Sequence, residues 1–299
     1  MEANSPLLLP LDRAAHTRKD PDFLESLLSA GESWLVPIWR NQVMIEATDS
    51  TRPLLLRAGR APALLEQALE IAWLGQLGTT GCFAVDISGI ERPLDLLPAQ
   101  GTGRLEDLRI AGNFLHPRDF GVLAFARGIL HWHRQHRFCG RCGASTRARE
   151  GGHVRECKSC ETKHFPRTDP AVMVLAISSE CCLLARQPGF PAGMYSALAG
   201  FVEPGESVEE CAIRETSEEV GLRISDLRYF RSQAWPFPQS LMLGFFARTD
   251  SRELRLDSDE LEDARWVTRA ELRDPKDFSY PPRVSLAHAM IRHFMDHGG

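Results

Sequence analysis

Residues 200–222 read GFVEPGESVEECAIRETSEEVGL, and this stretch predicts a helix with a defined start and end. Ser207, followed three positions later by Glu210, fits a capping box, in which each side chain bonds the other residue's backbone N–H. Gly221 is a natural stop, because glycine readily adopts the left-handed conformation that ends many helices. We therefore expect a helix over about residues 207–219.

Three glutamates of this helix, Glu215, Glu218 and Glu219, share one face, because separations of three and four residues bring side chains together. Carboxylates this close repel one another, so a cation is expected beside them, and such hard oxygen ligands suit Mg²⁺ or Mn²⁺. Arg214 and Glu206 are expected to pair and to pin the preceding loop against the helix. Considered as a charge cluster alone, the same residues would more often form a solvated acidic surface.

The complete spacing decides between these interpretations. It reads Gly200-x5-Glu206-x7-Arg214-Glu215-x2-Glu218-Glu219-x-Gly221-Leu222. This pattern resembles the Nudix box over its whole 23 residues. One position departs from the family, since Thr216 stands where an aliphatic residue is usual. This position packs under the helix, so we expect slight loosening there and intact chemistry.

The resemblance implies hydrolysis of a nucleoside diphosphate linked to another moiety. Such a reaction needs the charge on phosphate oxygens neutralised and a water molecule aligned for attack. By resemblance, Glu215 and Glu219 would be metal ligands, and Glu218 would be a ligand or the general base. Glu260 matches the place of a further metal ligand, and Glu262 is the competing choice.

A second motif lies ten residues beyond the box. Residues 232–240 read SQAWPFPQS, which resembles the SQPWPFPxS array of the NudC-type NADH pyrophosphatases, a subfamily of the Nudix hydrolases. Only Ala234 departs, and it costs some loop rigidity. By resemblance, Gln233, Trp235 and Ser240 would contact the substrate. The ordinary alternative is an aromatic, proline-rich core loop.

Three aromatic residues are candidates to stack on nicotinamide or adenine, because stacking holds flat bases without strict recognition. They are Phe165, Phe201 and Trp235. Phe165 lies in the stretch HFPRTDP, which is like the subfamily's YPRxDP but lacks the tyrosine hydroxyl. Packing in the core is an equally open interpretation for each ring. Ala287 lies in a segment matching one that lines the subfamily's substrate pocket.

Four of the eight cysteines form two Cys-x-x-Cys pairs separated by fourteen residues, namely Cys139, Cys142, Cys157 and Cys160. This spacing predicts a zinc ribbon with one structural Zn²⁺ per chain, closed by four thiolates and therefore without hydrolytic chemistry. The other cysteines are expected to be core thiols. Arg147, Arg149 and Arg155 lie between the knuckles, where a solvated surface is favoured over a nucleic-acid contact.

The chain is predicted to contain three parts. These are an α+β domain of NADH-pyrophosphatase type over residues 1–125, a linking helix and zinc ribbon over 126–165, and a Nudix catalytic domain with an α/β/α sandwich over 166–299. The predicted helices cover residues 63–74, 119–136, 207–219 and 284–296. The predicted strands cover residues 33–39, 42–45, 81–86, 171–177, 182–185, 194–198, 228–234, 241–248 and 263–267.

The composition is that of an ordinary globular protein, with 43% hydrophobic residues, 25% charged residues and a net charge of −5 over 299 residues. Such a charge gives no global attraction to nucleic acid, so any RNA contact would be local. No charged segment followed by a sustained apolar run opens the chain, and no apolar run is long enough for a membrane span, so a cytoplasmic protein is expected.

The resemblance as a whole implies an NAD(H) diphosphatase that forms homodimers and converts NADH and water into reduced nicotinamide mononucleotide and AMP. Two enzymatic alternatives stay open. The same cut could remove an NAD cap from RNA 5′ ends, or the substrate could be another dinucleoside. An alternative from a different class is an inactive Nudix domain that senses NAD or RNA, although mutually repelling glutamates would then serve no purpose.

Overall fold

A computed structural model of the chain describes residues 11–46, 52–97 and 103–298. It divides into two compact units. The first comprises Met1–Arg167 and Pro236–Gln239, and the second comprises Thr168–Trp235 and Ser240–Gly299. Within the described ranges, no helix has both the length and the apolar character that crossing a bilayer requires.

Within its described residues, the first unit contains a mixed sheet, four α-helices and a small three-stranded sheet. Its elements are α1 (Pro21–Ser29), β1 (Trp34–Trp39), β2 (Gln42–Glu46), β3 (Leu56–Arg57), α2 (Pro62–Glu66), β4 (Glu70–Leu77), β5 (Thr80–Asp86), β6 (Gly103–Glu106), α3 (Leu108–Ala111), α4 (Pro117–Gln135), β7 (Thr146–Arg149), β8 (Val154–Cys157) and β9 (Lys163–His164). The larger sheet has the order β4-β5-β1-β2-β6, with β3 paired to β1, and the smaller sheet has the order β7-β8-β9.

The prediction of a helix over residues 63–74 is wrong for most of its length. Helix α2 ends at Glu66, and β4 begins at Glu70. The apolar residues of β4 pair with β5 across a tight turn in which Gly78 has a φ of 64°. A short apolar run has no periodicity that separates a buried strand from a helix, and here the pairing partner decides. The predicted helix over 119–136 is confirmed by α4.

The second unit contains one six-stranded sheet. Its elements are β10 (Asp169–Ser178), β11 (Cys181–Arg186), β12 (Leu198–Phe201), α5 (Val208–Val220), β13 (Ser225–Trp235), β14 (Ser240–Arg248), β15 (Asp263–Thr268), α6 (Arg269–Arg273) and α7 (Leu286–His297). The order is β13-β14-β10-β11-β15, and β12 pairs with β10. β10 and β14 run parallel, whereas the other pairs are antiparallel.

The predicted strand over 194–198 is misplaced. Met194 and Ser196 make only isolated bridges, and the strand starts at Leu198. The apolar pattern identified an extended segment there, but the ladder with β10 begins only where Leu198 lies opposite Val174.

Alternating side chains of β10 fill two cores on opposite faces of the sheet. Met173 and Leu175 pack in a cluster with apolar residues of α7, such as Met290. Val172 and Val174 pack with residues of α5, such as Cys211. Because successive residues of a strand point to opposite faces, one buried strand supports both helix layers. The predicted α/β/α sandwich is confirmed.

Candidate active site

Helix α5 has the predicted ends. The Ser207 side chain accepts a hydrogen bond from the Glu210 N–H, and a Glu210 oxygen accepts one from the Ser207 N–H at 2.8 Å. Gly221 has a φ of 73°, in the left-handed region, and ends the helix. The chain can therefore turn sharply away after Val220, the last residue of the helix.

Glu215, Glu219 and Glu260 meet at one point. One carboxylate oxygen from each lies within 4.8 Å of the others. Glu215 and Glu219 come from one face of α5, whereas Glu260 lies on the loop before β15. The competing candidate Glu262 is not part of this group, because its carboxylate pairs with Arg186 Nε at 2.8 Å.

Glu219 is the most buried carboxylate of this cluster, with 2% of its surface exposed. Its Oε2 atom has no hydrogen-bond partner among the described residues. Burial, together with the charges of Glu215, Glu260 and Asp257, raises the pKa of Glu219 to about 8. Burial also raises the pKa of Glu215, although Arg214 opposes the effect. An orphaned buried oxygen among carboxylates fits a divalent cation with oxygen ligands.

Glu218 lies outside this cluster. Its side chain is 61% exposed and accepts a hydrogen bond from Arg214 Nη1 at 3.0 Å. The three glutamates of the sequence motif therefore divide by environment, with two in the cluster and one at the solvent-facing rim.

Arg214 organises the carboxylates around it. Its Nε and Nη2 atoms donate to the two oxygens of Glu206 at 2.7 and 2.9 Å, which confirms the predicted pair. Its Nη1 donates to Glu215 at 2.9 Å, and its Nη2 also donates to the Phe201 carbonyl at 3.0 Å. The Arg214 guanidinium lowers the pKa of Glu206 to about 2. One planar side chain thus connects the preceding loop, β12 and a cluster carboxylate.

Gly200 has a steric role that the sequence pattern did not reveal. A Cβ atom built on Gly200 would lie 1.8 Å from Cδ of Glu215. Because Gly200 has no side chain, the Glu215 carboxylate can lie against this position of β12. The sequence did contain a hint of this role, because the motif begins with a glycine at position 200.

Thr216 is fully buried under the helix, as the sequence led us to expect. Its hydroxyl donates to the Ala212 carbonyl at 2.7 Å, so the polar atom that replaces an aliphatic group is satisfied within the helix. The slight loosening expected at this position stays a prediction.

The predicted substrate-contact residues fall in different places. Phe201 is exposed beside Gly200, and Trp235 lies at the end of β13. Gln233 donates to the Val284 carbonyl at 2.7 Å, while its Oε1 has no partner among the described residues. Ser240 is buried at the start of β14, and Ala287 is buried in the first turn of α7.

Two other parts of the aromatic motifs lie in the first unit. Phe165 is exposed there. The middle of the 232–240 array, Pro236–Gln239, belongs to the same unit, where the Arg127 guanidinium lies 4.8 Å from the centroid of the Phe237 ring. The ordinary interpretation of the array as a packing loop therefore applies to Phe237.

The four ribbon cysteines lie together as free thiols. Sulfur–sulfur distances are 3.7 Å for Cys139 and Cys160, and 3.4 Å for Cys142 to each of Cys157 and Cys160. A tetrahedral zinc ion with bonds of about 2.3 Å requires sulfurs roughly 3.8 Å apart, so these thiols fit zinc with little movement.

Polar groups around the thiols support the same interpretation. Backbone N–H groups of Arg141 and Ser159 point at the sulfurs of Cys139 and Cys157, both at 3.4 Å. Hydrogen bonds with Thr162 lower the pKa of Cys160 to about 6, which favours the thiolate that binds metal. His164 Nε2 lies 3.3 Å from the Cys139 sulfur, a contact that the sequence analysis missed.

Comparison with known proteins gives three family models in the order of the chain. A NADH pyrophosphatase-like rudimentary NUDIX domain matches residues 32–132, a NADH pyrophosphatase zinc ribbon domain matches 134–165, and a NUDIX domain matches 167–288. A NAD-capped RNA hydrolase NudC from Stutzerimonas stutzeri is 38% identical, and the match covers 78% of this chain and 93% of that protein. This chain belongs to the Nudix hydrolase family.

Two further relatives of this Nudix hydrolase carry the same description. NudC from Chromobacterium violaceum is 46% identical over 67% of this chain and 73% of that protein. The human NAD-capped RNA hydrolase NUDT12 is 39% identical over 61% of this chain, and the match spans only 45% of the human protein. Among solved structures, a Nudix hydrolase from Nitrosomonas europaea aligns with a TM-score of 0.46 and 24% identity, over 54% of this chain and 90% of that one.

The family models and the NudC relatives confirm the predicted family. The three models show an N-terminal NUDIX-like domain, a zinc ribbon and a C-terminal NUDIX domain in this Nudix hydrolase.

Proposed function

We propose that this Nudix hydrolase cleaves the pyrophosphate bond of NAD(H), giving nicotinamide mononucleotide and AMP, and that it removes the NAD cap from RNA 5′ ends by the same cut. The observation that carries the proposal is the Glu215, Glu219 and Glu260 cluster with its orphaned buried oxygen. The NADH pyrophosphatase-like domains and the names of the relatives support the choice of substrate.

The cluster would hold Mg²⁺ or Mn²⁺, which supplies charge neutralisation to the phosphate oxygens. Glu219 and Glu215 are suited to this role because their burial and mutual repulsion favour a bound cation over solvent. Arg214 fixes Glu215 by a hydrogen bond, so the position of that ligand does not depend on the substrate.

Glu218 is the proposed general base. It is the motif glutamate that faces solvent and lies outside the three-carboxylate group, so it can accept a proton from water without leaving that group incomplete. Its hydrogen bond with Arg214 would orient the carboxylate.

The ribbon would hold one structural Zn²⁺ through Cys139, Cys142, Cys157 and Cys160. A homodimeric state and a cytoplasmic location stay predictions from the subfamily resemblance and the sequence. Light scattering on the purified protein measures the first, and fractionation of cells that produce it measures the second.

The competing function is an inactive sensor that binds NAD or RNA without cleaving it. The decisive experiment compares NADH, NAD⁺, ADP-ribose and a 5′-NAD-capped RNA with Mg²⁺ or Mn²⁺, and resolves the products. Release of AMP and nicotinamide mononucleotide, faster than cleavage of ADP-ribose, is the expected result. Faster cleavage of ADP-ribose would instead favour other dinucleoside substrates.

A Glu219→Gln variant serves as the inactive control. Loss of one negative ligand should lower kcat by at least about 100-fold, because the cation that neutralises the phosphate is lost, while the fold is retained. Near-normal turnover in this variant would disprove the assignment of the active site to this cluster. Ligand binding by the wild-type protein without any turnover would favour the sensor.

A further inference from the structure

A cavity of about 450 Å³ lies within the first unit, at the place where α4 runs into the zinc ribbon. Its walls include Arg137 and Phe138 just before the first zinc knuckle, and Ser145 and Lys158 from the ribbon. We call these four residues with their cavity the ribbon pocket. Its volume lies in the range of small-molecule sites.

The charged side chains on the floor of the ribbon pocket are ion-paired with one another. Arg134 pairs with Asp86 at 2.9 Å, and Arg155 pairs with Glu70 at 2.7 Å. These side chains line the cavity but already neutralise one another. The floor therefore contributes shape and offers no free charge.

The rim is different, because it carries two positive charges without counter-ions. Arg137 and Lys158 are exposed, and neither lies within 4.0 Å of a carboxylate in the described part of the chain. Phe138, which lines the same cavity, is 67% exposed. The ribbon pocket therefore offers an exposed aromatic face together with two unpaired cations.

The arginines singled out by the sequence behave otherwise. Arg147 and Arg149 both pair with Glu156 across the β7–β8 ladder, and Arg155 is buried. Arg141, in the first zinc knuckle, is exposed and also has no carboxylate within 4.0 Å among the described residues, but it does not line the cavity. The unpaired cations of the ribbon pocket are therefore Arg137 and Lys158 and not these three arginines.

Backbone contacts hold the rim in place. Phe138 and Ser145 form an antiparallel bridge, and the Lys158 N–H donates to the Ser145 carbonyl at 3.0 Å. The Thr146 N–H donates to the Arg137 carbonyl at 2.9 Å. Phe138 directly precedes Cys139, and Lys158 directly follows Cys157. The zinc knuckles therefore hold the backbone of both residues in place.

We propose that the ribbon pocket binds the single-stranded RNA body of a capped substrate, with Arg137 and Lys158 on phosphates and Phe138 stacked on a base. Cations that follow the backbone and an aromatic ring under a base are the combination that binds single strands without sequence preference. An acidic peptide would use the cations but leave the exposed ring unused. The proposal rests on the proposed function in one respect, namely that capped RNA is a substrate.

The test measures binding and catalysis separately. Binding of a fluorescent 5′-monophosphate RNA without a cap is followed by anisotropy at several salt concentrations, and kcat/KM is measured for NAD-capped RNA and for free NADH. The double variant Arg137→Glu with Lys158→Glu should weaken RNA binding about tenfold or more, and the variant Phe138→Ala about fivefold or more. In both, kcat/KM should fall for capped RNA and stay unchanged for NADH.

The salt dependence gives a second readout. Loss of two phosphate contacts should reduce the slope of log binding constant against log salt by about 1.4. Lys19→Glu with Arg60→Glu is the matched control, because both residues are exposed in the first unit, lie outside the cavity wall and undergo the same change of charge. Zinc content and thermal melting verify folding, and Arg137→Gln with Lys158→Gln replaces the first variant if it fails to fold.

RNA affinity equal to wild type in the ribbon-pocket variants overturns the inference, and so does an equal loss in the control. Displacement of the RNA by an acidic peptide at lower concentration would assign the pocket to a protein partner instead. Failure of the proposed function is distinguishable, because wild-type protein would then leave NADH intact whatever the binding experiment gives.

Discussion

The backbone N–H of Asp257 donates to the carbonyl oxygen of Glu219 at 2.9 Å. The Arg255 N–H makes a similar bond to the Val220 carbonyl at 3.0 Å. These are carbonyls at the end of α5, which have no partner inside the helix. The loop that carries Glu260 is thus hydrogen-bonded to the backbone of Glu219. The carboxylates of Glu219 and Glu260 belong to the same cluster, so this bond fixes the loop relative to the helix at the site itself.

This anchoring predicts different outcomes for two neighbouring glutamates. Glu260→Gln should lower kcat for NADH by at least about tenfold and weaken the affinity for Mg²⁺, because one cluster carboxylate is lost. Glu262→Gln is the matched control, since its carboxylate pairs with Arg186, and its kcat should stay within about twofold of wild type. Steady-state kinetics across a Mg²⁺ titration measures both. The reverse pattern would assign the third ligand to Glu262.

Gly200→Ala should displace the Glu215 carboxylate, because the new methyl group would overlap it. We expect a loss of activity of about 100-fold, comparable to loss of a ligand. Gly189→Ala in the same unit is the control, since no atom lies within 4 Å of its Cβ position and its backbone is not left-handed. Turnover of NADH and a crystal structure of the variant check the result. Full activity in Gly200→Ala would show that the carboxylate position is not critical.

Removal of the ribbon metal should destabilise the first unit without acting directly on the reaction chemistry. Cys157→Ser should reduce zinc from one ion per chain to none, and should lower the melting temperature, since a small ribbon depends on its metal to fold. The control variant Cys181→Ala, which changes a cysteine outside the ribbon, should retain one zinc ion per chain. Elemental analysis and thermal melting provide the readout. Retention of one zinc ion in Cys157→Ser would disprove the four-thiolate site.

The first unit should lose stability in mild acid because of His133. Its Nδ1 accepts from Arg155 Nη1, and its Nε2 donates to the Gly152 carbonyl, so the ring is neutral when folded. Burial, followed by the charge of Arg155, lowers the pKa of His133 to about 3. Burial likewise lowers the pKa of His153 to about 4, and this ring bonds the Trp73 carbonyl.

The sign of the effect follows from proton binding. Between about pH 6.5 and the folded pKa, the unfolded chain binds a proton that the folded chain does not, so the free energy of unfolding falls as pH falls. For His133 the slope is about 1.4 kcal/mol per pH unit. Denaturant unfolding at pH 7.5, 6.0 and 5.0 measures it. His133→Gln should flatten the dependence, and His16→Gln, at an exposed site, should leave it unchanged.

Features that depend on residues near one another in the chain were accessible from the sequence. The capping box, the Gly221 stop, the Arg214–Glu206 pair and the cysteine spacing all arise within one helix or one small ribbon. Helical periodicity and knuckle geometry convert such spacings directly into three-dimensional positions. The continuous apolar run over residues 171–177 likewise indicated a buried strand.

The remaining features needed the tertiary structure, because they join segments that are distant in sequence. Glu260 joins the cluster and Glu262 does not, since the loop is anchored at the end of α5 some forty residues earlier. Residues 70–74 form a strand because β5 pairs with them, although their apolar pattern also allowed a helix. Arg147 and Arg149 pair with Glu156, and Arg155 pairs with Glu70, whereas Arg137 and Lys158 have no carboxylate within 4.0 Å among the described residues. The sequence alone determined which residues are candidates for the site; the long-range packing decided which of them meet, because pairing across distant segments leaves no local periodicity to detect.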